Sequence, residues 1–388
     1  MKRNNIFEQI VLYIALLSCM ACSGLNSKNS NNNEKMDTAF IWQPFVASAK
    51  FYPMEVMYAN VRLGNTDDWV GTMERFTGAG LGEYNGVVDT SSASEDGKLP
   101  MPSAVDVLWL SHTEKKFYRL KAELPHYLQQ RMLEMFRTPY YDWSDKKYRW
   151  SYEGFVINML PKGKVWLYLD GIGRRELICD SLAGKEVEVS LKDFDKEGYE
   201  YYKTFDAFCK ARLNDDPKVV ENLKQNGIPD TLWEKYKQRY HYNIEFDFED
   251  KNTVIEHDYL YRYLTGEFYR EDKKETHSFM PAVREIGITW LVGTTEYNGF
   301  FYFDENEIIE TYAKAFNPLN KHGKLIVRVS KYNNRFDIYL LIDGKQFPLT
   351  KTMIHVFRET PEHKKEEEVP FYNNHEDIYS GDIHYIGE

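Results

Sequence analysis

Two stretches decide the predicted fold: MPSAVDVLWLSHTEKKFY (Met101–Tyr118) and MPAVREIGITWLVGTTEYNGFFY (Met280–Tyr302). Each begins with Met-Pro, continues as an apolar run that ends in Trp-Leu, and then has Thr-Glu before an aromatic run. Runs rich in apolar, β-branched and aromatic residues are typical of strands. The short polar connections between these runs predict antiparallel pairing.

The similarity continues beyond each stretch. Leu124–Phe136 and Asp304–Phe316 both have apolar residues at every third or fourth position, which predicts a helix. Two strand patterns follow within Gly154–Gly171 and within Gly323–Gly344, and each pair ends in Asp-Gly, a tight-turn signal. The unit strand–strand–helix–strand–strand therefore occurs twice. We predict an α+β fold with antiparallel β-sheets, packed helices and an internal duplication of this unit.

The remaining sequence divides around the two copies. Asp216 before Pro217, with Gly227 after the last helical position, predicts the limits of one helix in the region between the copies. The predicted organisation is a lipoprotein signal peptide at 1–18, a flexible Asn/Ser-rich tether at 19–39, a first α+β unit at 40–192, a helical and hairpin insert at 193–274, a second α+β unit at 275–360 and an acidic tail at 361–388.

Composition limits the classes of function. The 388 residues include 49 Lys and Arg against 60 Asp and Glu, a formal net charge of −11, which argues against a nucleic-acid partner. The only long apolar run, Ile10–Leu17 (IVLYIALL), is too short to span a bilayer, so a polytopic membrane protein is excluded.

The beginning of the chain has the features of a bacterial lipoprotein signal. A short basic start precedes the apolar run, and Leu16-Leu17-Ser18-Cys19 resembles the lipobox, with an aliphatic residue at −3 and a small residue at −1 before the acylated cysteine. Cys22 is the alternative acylation site, and an ordinary secretory signal with incidental cysteines is a further alternative. Because two or three acyl chains such as palmitate suffice for stable anchoring, we expect a lipid-anchored outer-membrane protein on the periplasmic or surface face.

Two more cysteines, Cys179 and Cys209, lie in the body of the chain. In an oxidising periplasm they would form a disulfide that closes a loop of about 30 residues. The alternative is two buried free thiols. No CxxC or zinc-ligand spacing occurs outside the signal.

Signals for chemistry are weak. The glycine-rich segment Thr77–Gly86 is not followed by Lys-Ser/Thr or by a helix pattern, so we expect a mobile loop rather than a nucleotide site. Ser111 and His112, with Glu114 nearby, are neighbours in a strand and point to opposite faces, which argues against a nucleophile–base pair. We therefore expect no enzyme activity, no cofactor and no metal.

Other polar groups have structural interpretations. Near the end of the chain, a solvated tail is favoured over an opportunistic metal site at His375, Glu376, Asp377 and His384. The carboxylate pairs Asp67-Asp68 and Asp215-Asp216 are interpreted as helix caps and solvated faces. We expect most of the following tryptophans to fill the core: Trp42, Trp69, Trp143, Trp150, Trp166 and Trp233.

Several motifs resemble an uncharacterised family of Gram-negative lipoproteins known as domain of unknown function 2931. They run from Trp42 to Phe248, and the glycine-rich loop departs most from the family pattern. The resemblance implies no activity and no catalytic residues. The motifs are Tyr52-Pro53-Met54-Glu55-Val56, Leu99-Pro100, Trp109-Leu110-Ser111, Lys116-Phe117-Tyr118, Gly227-Ile228-Pro229, Leu232-Trp233, Tyr236 and Arg239-Tyr240.

The leading hypothesis is a lipid-anchored outer-membrane lipoprotein that acts as a non-enzymatic binding or interaction protein. Its partners would be the membrane, through the acyl chains, and a protein. The first alternative is a periplasmic immunity-type lipoprotein that neutralises a secreted toxin, because the acidic surplus suits a basic partner. The second alternative is a glycan- or lipid-directed hydrolase, based on the aromatic residues and scattered carboxylates.

Overall fold

Strands make up most of the regular structure. The computed structural model describes residues 38–85, 97–142, 147–150, 152–271, 279–363, 369–375 and 385–387. We call residues 38–187 the first half and residues 239–375 the second half. The acylation candidates Cys19 and Cys22 lie outside the described residues. Among the residues that are described, no helix has the length and apolar character needed to cross a membrane.

The first half contains thirteen described strands and one described α-helix. The strands are β1 (Ala39–Phe40), β2 (Gln43–Ser48), β3 (Met54–Leu63), β4 (Trp69–Gly71), β5 (Leu99–Pro100), β6 (Pro102–Ser111), β7 (Lys116–Glu123), β8 (Pro139–Asp142), β9 (Lys147–Trp150), β10 (Gly154–Met159), β11 (Lys164–Gly171), β12 (Arg174–Ala183) and β13 (Lys185–Val187), and the helix is α1 (His126–Arg137).

Helices connect the two halves. They are α2 (Leu191–Phe194), α3 (Lys196–Tyr202), α4 (Phe205–Asn214), α5 (Pro217–Asn226) and α6 (Leu232–Tyr236). The predicted limits of one helix are confirmed in α5, where the Asp216 side chain accepts a hydrogen bond from Lys218 N and Gly227 ends the helix with a positive φ of 62°.

The second half repeats the strand-rich pattern. Its elements are β14 (Arg239–Phe248), β15 (Val254–Tyr263), β16 (Phe268–Glu271), β17 (Phe279–Pro281), β18 (Val283–Val292), β19 (Thr295–Tyr302), α7 (Glu305–Ala315), β20 (His322–Val329), β21 (Phe336–Ile342), β22 (Lys345–Pro348), β23 (Met353–Glu359) and β24 (Val369–Asn373).

The two halves share much of their strand order. The first half has the orders β2-β10-β11-β12 and β13-β7-β6-β3-β4. The second half has β17-β14-β20-β21-β22 and β24-β23-β19-β18-β15-β16, in which β17 and β24 are additional edge strands. One ladder of two residue pairs joins the halves into one ten-stranded sheet: Arg174 and Arg175 of β12 pair with Tyr269 and Phe268 of β16. The α+β class is therefore correct.

The prediction of purely antiparallel sheets is incomplete. β2 pairs with β10, and β14 pairs with β20, in parallel. Each of these pairs joins strands that are far apart in the sequence, so a tight turn does not impose antiparallel direction on them. The sequence pattern identifies the strands but does not identify these partners.

Two predicted boundaries need correction. The end of the predicted insert, β14 to β16, pairs with β20 and β18 of the second half, so a boundary at residue 274 divides hydrogen-bonded sheets. The predicted solvated tail is also partly packed: β24 pairs with β23, and Tyr385 is 4% exposed. The Tyr385 hydroxyl donates to the carbonyl oxygens of Arg284 and Phe303 at 2.9 and 2.7 Å.

One large hydrophobic core spans both halves. It includes tryptophans that are at most 1% exposed, and the smaller second core lies where the helices cover β6 and β7. Among the predicted core tryptophans, Trp69 is 39% exposed, whereas Trp143 and the side chain of Trp150 lie outside what the structure describes. The predicted core residues that are confirmed are Trp42, Trp166 and Trp233.

Candidate functional site

The second half has an open cleft of about 460 Å³ where β21 and β22 lie beside β23 and β24. Its floor consists of the apolar side chains of Ile338, Leu349 and Ile354, which are 6%, 4% and 4% exposed. Phe336 and Tyr372 form an aromatic wall, with ring centroids 5.1 Å apart. We call this feature the second-half cleft.

The cleft exists because β22 stops early. β22 pairs with Tyr339–Ile342 of β21 and ends at Pro348, after which Leu349 N makes one more bond, to the Ile338 carbonyl oxygen at 2.9 Å. The chain then turns away, since Thr350 N and Lys351 N both donate to the Glu307 carboxylate of α7 at 2.9 Å.

The far side of the cleft is held by one side-chain amide. Ile354 N donates to Asn374 Oδ1 at 2.7 Å, and Asn374 Nδ2 donates to the Thr352 carbonyl oxygen at 2.9 Å. These bonds fix the end of β24 against β23. The aromatic wall therefore belongs to ordered strands on both sides.

The rim of the cleft is polar. Arg328 donates to Asp247 at 3.0 Å, and this bond holds the pKa of Asp247 below its usual range. The side chains of Asp337 and Gln346 are exposed and make no hydrogen bond with another described residue. An apolar floor with a few available polar groups at its edge is typical of a binding site.

The corresponding place in the first half is filled by the chain itself. β12 is ten residues long and pairs along β11 from Gly171↔Arg174 to Lys164↔Ala183, with two bulges. Gly184 then passes close to the core, because a Cβ there would lie 2.5 Å from Trp109. The first half consequently has a continuous strand where the second half has an opening.

A buried ion cluster lies apart from the cleft, between the first half and the connecting helices. His112 Nε2 lies 3.1 Å from Glu55 Oε2, and Arg75 Nε donates to Glu55 Oε1 at 2.7 Å. Arg75 also donates to Asp195 at 3.3 Å, and Arg212 Nε lies 3.9 Å from Glu55. Glu55 and His112 are 0% and 2% exposed, so this pair cannot reach a substrate in the described conformation and acts as a structural contact.

Sequence reasoning misses this cluster. In the sequence, Glu55 is only a charged residue inside the strand motif Tyr52–Val56. Ser111 has its own partner, since its Oγ lies 3.4 Å from Thr113 Oγ1, and Glu114 accepts from Lys162 N. In the structure, Ser111 and His112 thus have different side-chain partners, Thr113 and Glu55.

The glycine-rich segment is a packed structural element over its described residues, 77–85, which corrects the predicted mobile loop. Gly82 N donates to Asn158 Oδ1 at 2.9 Å. Arg175, which is 5% exposed, donates to Asp170 at 2.7 Å and to Glu83 at 2.8 Å. Burial opposes the charged form of Glu83, but Arg175, together with Arg262 and Arg284, outweighs that effect, so the pKa of Glu83 is lowered. The segment thus seals the junction between β12 and the second half.

The Cys179–Cys209 disulfide is not formed. Both are free thiols, because Cys209 lies in the helix-covered core while Cys179 lies on β12 with its sulfur 3.7 Å from Ser181 Oγ. Burial raises the pKa of Cys209 to about 12, so its reactive thiolate is suppressed.

The remaining predicted polar sites can be placed only in part. Asp216 caps α5 as expected, and Leu63 N donates to the Asp68 carbonyl oxygen in a turn. Of the predicted terminal cluster, only His375 is described, and its ring lies 6.3 Å from that of His355. Glu376, Asp377 and His384 lie outside the described residues. The described ranges contain no group of three or more potential metal ligands.

Comparison with protein families identifies the family to which the chain belongs. Its residues 27–231 match the family model described as a protein of unknown function, DUF2931. No curated protein and no solved structure matched the chain. The matched residues include the Tyr52–Val56 motif, whose Glu55 forms the buried cluster, and they extend into the connecting helices. Because the match covers more than half of the sequence, the chain belongs to the DUF2931 family.

Proposed function

We propose that this protein is a lipid-anchored outer-membrane lipoprotein that binds a partner protein through the second-half cleft. The cleft carries the proposal, because it combines an apolar floor, an aromatic wall and unengaged polar groups on an otherwise paired framework. The lipobox with Cys19, or alternatively Cys22, and the Asn/Ser-rich tether supply the anchor. A flexible tether of this kind would keep the cleft within a limited distance of the membrane.

We further propose that the two halves arose by internal duplication. The shared order of strands in both halves supports this, as do the two parallel pairs, β2–β10 and β14–β20, at equivalent positions. The proposed repeat is longer than the sequence pattern indicates, since it begins at β1–β2 and at β14. According to this proposal, the cleft arose in the second half after the duplication.

Mass spectrometry of the mature chain tests the anchor. We expect a mature N-terminus at Cys19 with acyl chains, and we expect Cys19→Ser but not Cys22→Ser to abolish incorporation of labelled palmitate. Loss of palmitate incorporation in Cys22→Ser but not in Cys19→Ser would identify Cys22 as the acylated residue. An intact, unmodified leader would contradict the proposal.

Site-specific cross-linking in cells tests the cleft. A photoreactive amino acid at Gln346, on the rim, should capture a partner protein. The matched control is Tyr332, which is 73% exposed and does not line the cleft. Equal capture at both positions, or none at Gln346, would argue against the cleft as the binding surface.

A second candidate function is immunity against a secreted toxin. The net charge of −11 favours it, because an acidic protein attracts a basic partner. Co-expression of this protein with the product of a neighbouring toxin gene should then restore growth. Deletion without sensitivity to any neighbouring toxin would contradict it.

A further inference from the structure

We propose that the second-half cleft binds an extended peptide segment of a partner protein, which adds as a short strand to the open edge of β21. The inference rests on the proposed binding function and specifies its ligand class. An aliphatic or aromatic side chain of the peptide would occupy the floor formed by Ile338, Leu349 and Ile354.

The backbone of β21 provides the first argument. Leu349 N donates to the Ile338 carbonyl oxygen at 2.9 Å, which shows that Ile338 directs its hydrogen-bonding groups towards β22. Because these groups alternate along an antiparallel strand, Phe336 points its N–H and C=O in the same direction. The β22 ladder stops at Tyr339↔Pro348, so the described chain provides no strand beside Phe336 on that side.

The first half provides the second argument. There, β12 continues past the equivalent point and pairs with the beginning of β11 through Val165↔Leu182 and Lys164↔Ala183. β11 and β21 occupy the same position in their sheets, and both end in Asp-Gly. The fold therefore already accepts an extended segment at this position, which the second half leaves open.

Side chains around the cleft provide the third argument. Strand addition obtains affinity from backbone hydrogen bonds and specificity from pockets for alternate side chains. The apolar floor offers one such pocket. Lys345 and Pro348 blunt β22, and Leu349 N already bonds to the Ile338 carbonyl oxygen, so an added segment would pair at Phe336, the first residue of β21.

A peptide copied from the first half is the appropriate probe. We would label a synthetic peptide with the sequence of Glu176–Gly184, carrying Ser in place of Cys179, and titrate it with the detergent-solubilised full-length protein. Fluorescence anisotropy should show saturable binding. No saturation at about 1 mM protein would overturn the proposal.

N-methylated peptides distinguish strand pairing from simple apolar contact. Methylation removes backbone N–H donors, and only alternate residues of an added strand donate to its neighbour. One set of alternate N-methyl groups should weaken binding about tenfold or more, while the other set leaves it unchanged. Equal effects of both sets would overturn the proposal.

Protein variants locate the binding site. Phe336→Ala and Tyr372→Ala should each weaken peptide binding about tenfold, because truncating an aromatic anchor commonly costs more than 1 kcal/mol. Tyr332→Ala, in the same half but outside the cleft, should bind normally, and circular dichroism checks that all three variants fold. Unchanged affinity in both wall variants would refute the site.

These outcomes separate the inference from the function on which it rests. Capture of a partner at Gln346 without peptide saturation would retain the binding function and remove strand addition. Peptide binding with an unmodified leader would retain strand addition and remove the anchor.

Discussion

The two halves share much of their strand order, and they differ in the strand that follows β11 in the first half and β21 in the second half. In the first half, β12 has ten residues, pairs with β11 from Gly171 to Lys164, and pairs with β16 at Arg174 and Arg175. In the second half, β22 has four residues, begins with Lys345 and ends with Pro348. Lysine and proline are common at strand edges that must not pair indiscriminately. We infer from this comparison that β12 contributes to stability through its pairing. By contrast, β22 is short, has residues that discourage further pairing, and lies beside a cleft.

The largest expected effect comes from breaking the covered edge. Arg175→Ala removes the cation between Asp170 and Glu83 and leaves Asp170 buried without its partner. We expect the free energy of unfolding to fall by about 3–5 kcal/mol. Urea unfolding followed by tryptophan fluorescence measures this loss.

The second half supplies the matched control. Arg328 is 44% exposed and pairs with Asp247, so Arg328→Ala should change the free energy of unfolding by at most about 1 kcal/mol. Similar losses in both variants would show that the junction at β12 is not more stabilising than a surface ion pair.

A slightly smaller effect is expected in the glycine-rich segment. Gly82 has a φ of +70°, and a Cβ there would lie 2.6 Å from Arg175 Cδ. Gly82→Ala should therefore lower the free energy of unfolding by about 2–4 kcal/mol, through backbone strain and displacement of Arg175. Thermal and urea unfolding measure this change.

Gly344 is the control position that distinguishes backbone strain from displacement of a neighbouring side chain. It has a φ of +73°, but no atom lies within 4 Å of the position that a Cβ would take, so Gly344→Ala should cost only about 1–2 kcal/mol. If Gly82→Ala costs no more than Gly344→Ala, the glycine-rich segment does not pack tightly against Arg175.

A pH-dependent effect should be specific to the second half. His355 on β23 is 2% exposed, and its pKa lies below 6.5 because of burial and the neighbouring His375. The unfolded chain therefore binds a proton first as the pH falls below 6.5, so this group lowers the stability of the folded state at mildly acidic pH. This one proton changes the free energy of unfolding by at most about 1.4 kcal/mol per pH unit.

Urea unfolding at about pH 8 and about pH 5.5, on either side of the ordinary histidine pKa, measures this contribution. His355→Phe, which keeps a ring of similar size, should lose less stability on acidification than the original protein. An unchanged pH dependence in His355→Phe would contradict the assignment.

The smallest effect on stability is expected at the open edge. Pro348→Thr restores an N–H on β22 and should change the free energy of unfolding by about 0.5 kcal/mol or less. It should instead promote association between chains, because the edge loses its blunting residue. Light scattering against concentration measures this, and Thr350→Ser serves as a control outside the strand. A strictly monomeric Pro348→Thr would show that Pro348 does not protect the edge.

The repeated motifs predict much of the local structure. The Met101–Tyr118 and Met280–Tyr302 stretches form the strand pairs β6–β7 and β18–β19, and the helical patterns form α1 and α7. Hydrophobic periodicity identifies such elements because it reflects which face is buried. It does not identify the partner, and for this reason β14 to β16 fall within the predicted insert and the two parallel pairs are missed.

The candidate site is harder to predict. The cleft depends on the point at which β22 stops, and Pro348 is its only sequence signal. The Glu55–His112 pair joins residues 57 positions apart and the Glu83–Arg175 pair joins residues 92 positions apart, so no local pattern reveals them. The composition of the glycine-rich segment predicts a mobile loop because it does not show that Arg175 packs against Gly82.

The last described residues have a consequence for how the protein folds. Gly387 N donates to the Tyr236 hydroxyl, which also bonds to Glu305 of α7, and Ile386 N donates to the same carboxylate. The core around Tyr236 is therefore completed by a segment that lies 151 positions later in the chain. Folding of this region depends on a contact of long sequence separation, which forms slowly compared with the hairpins of the same sheet.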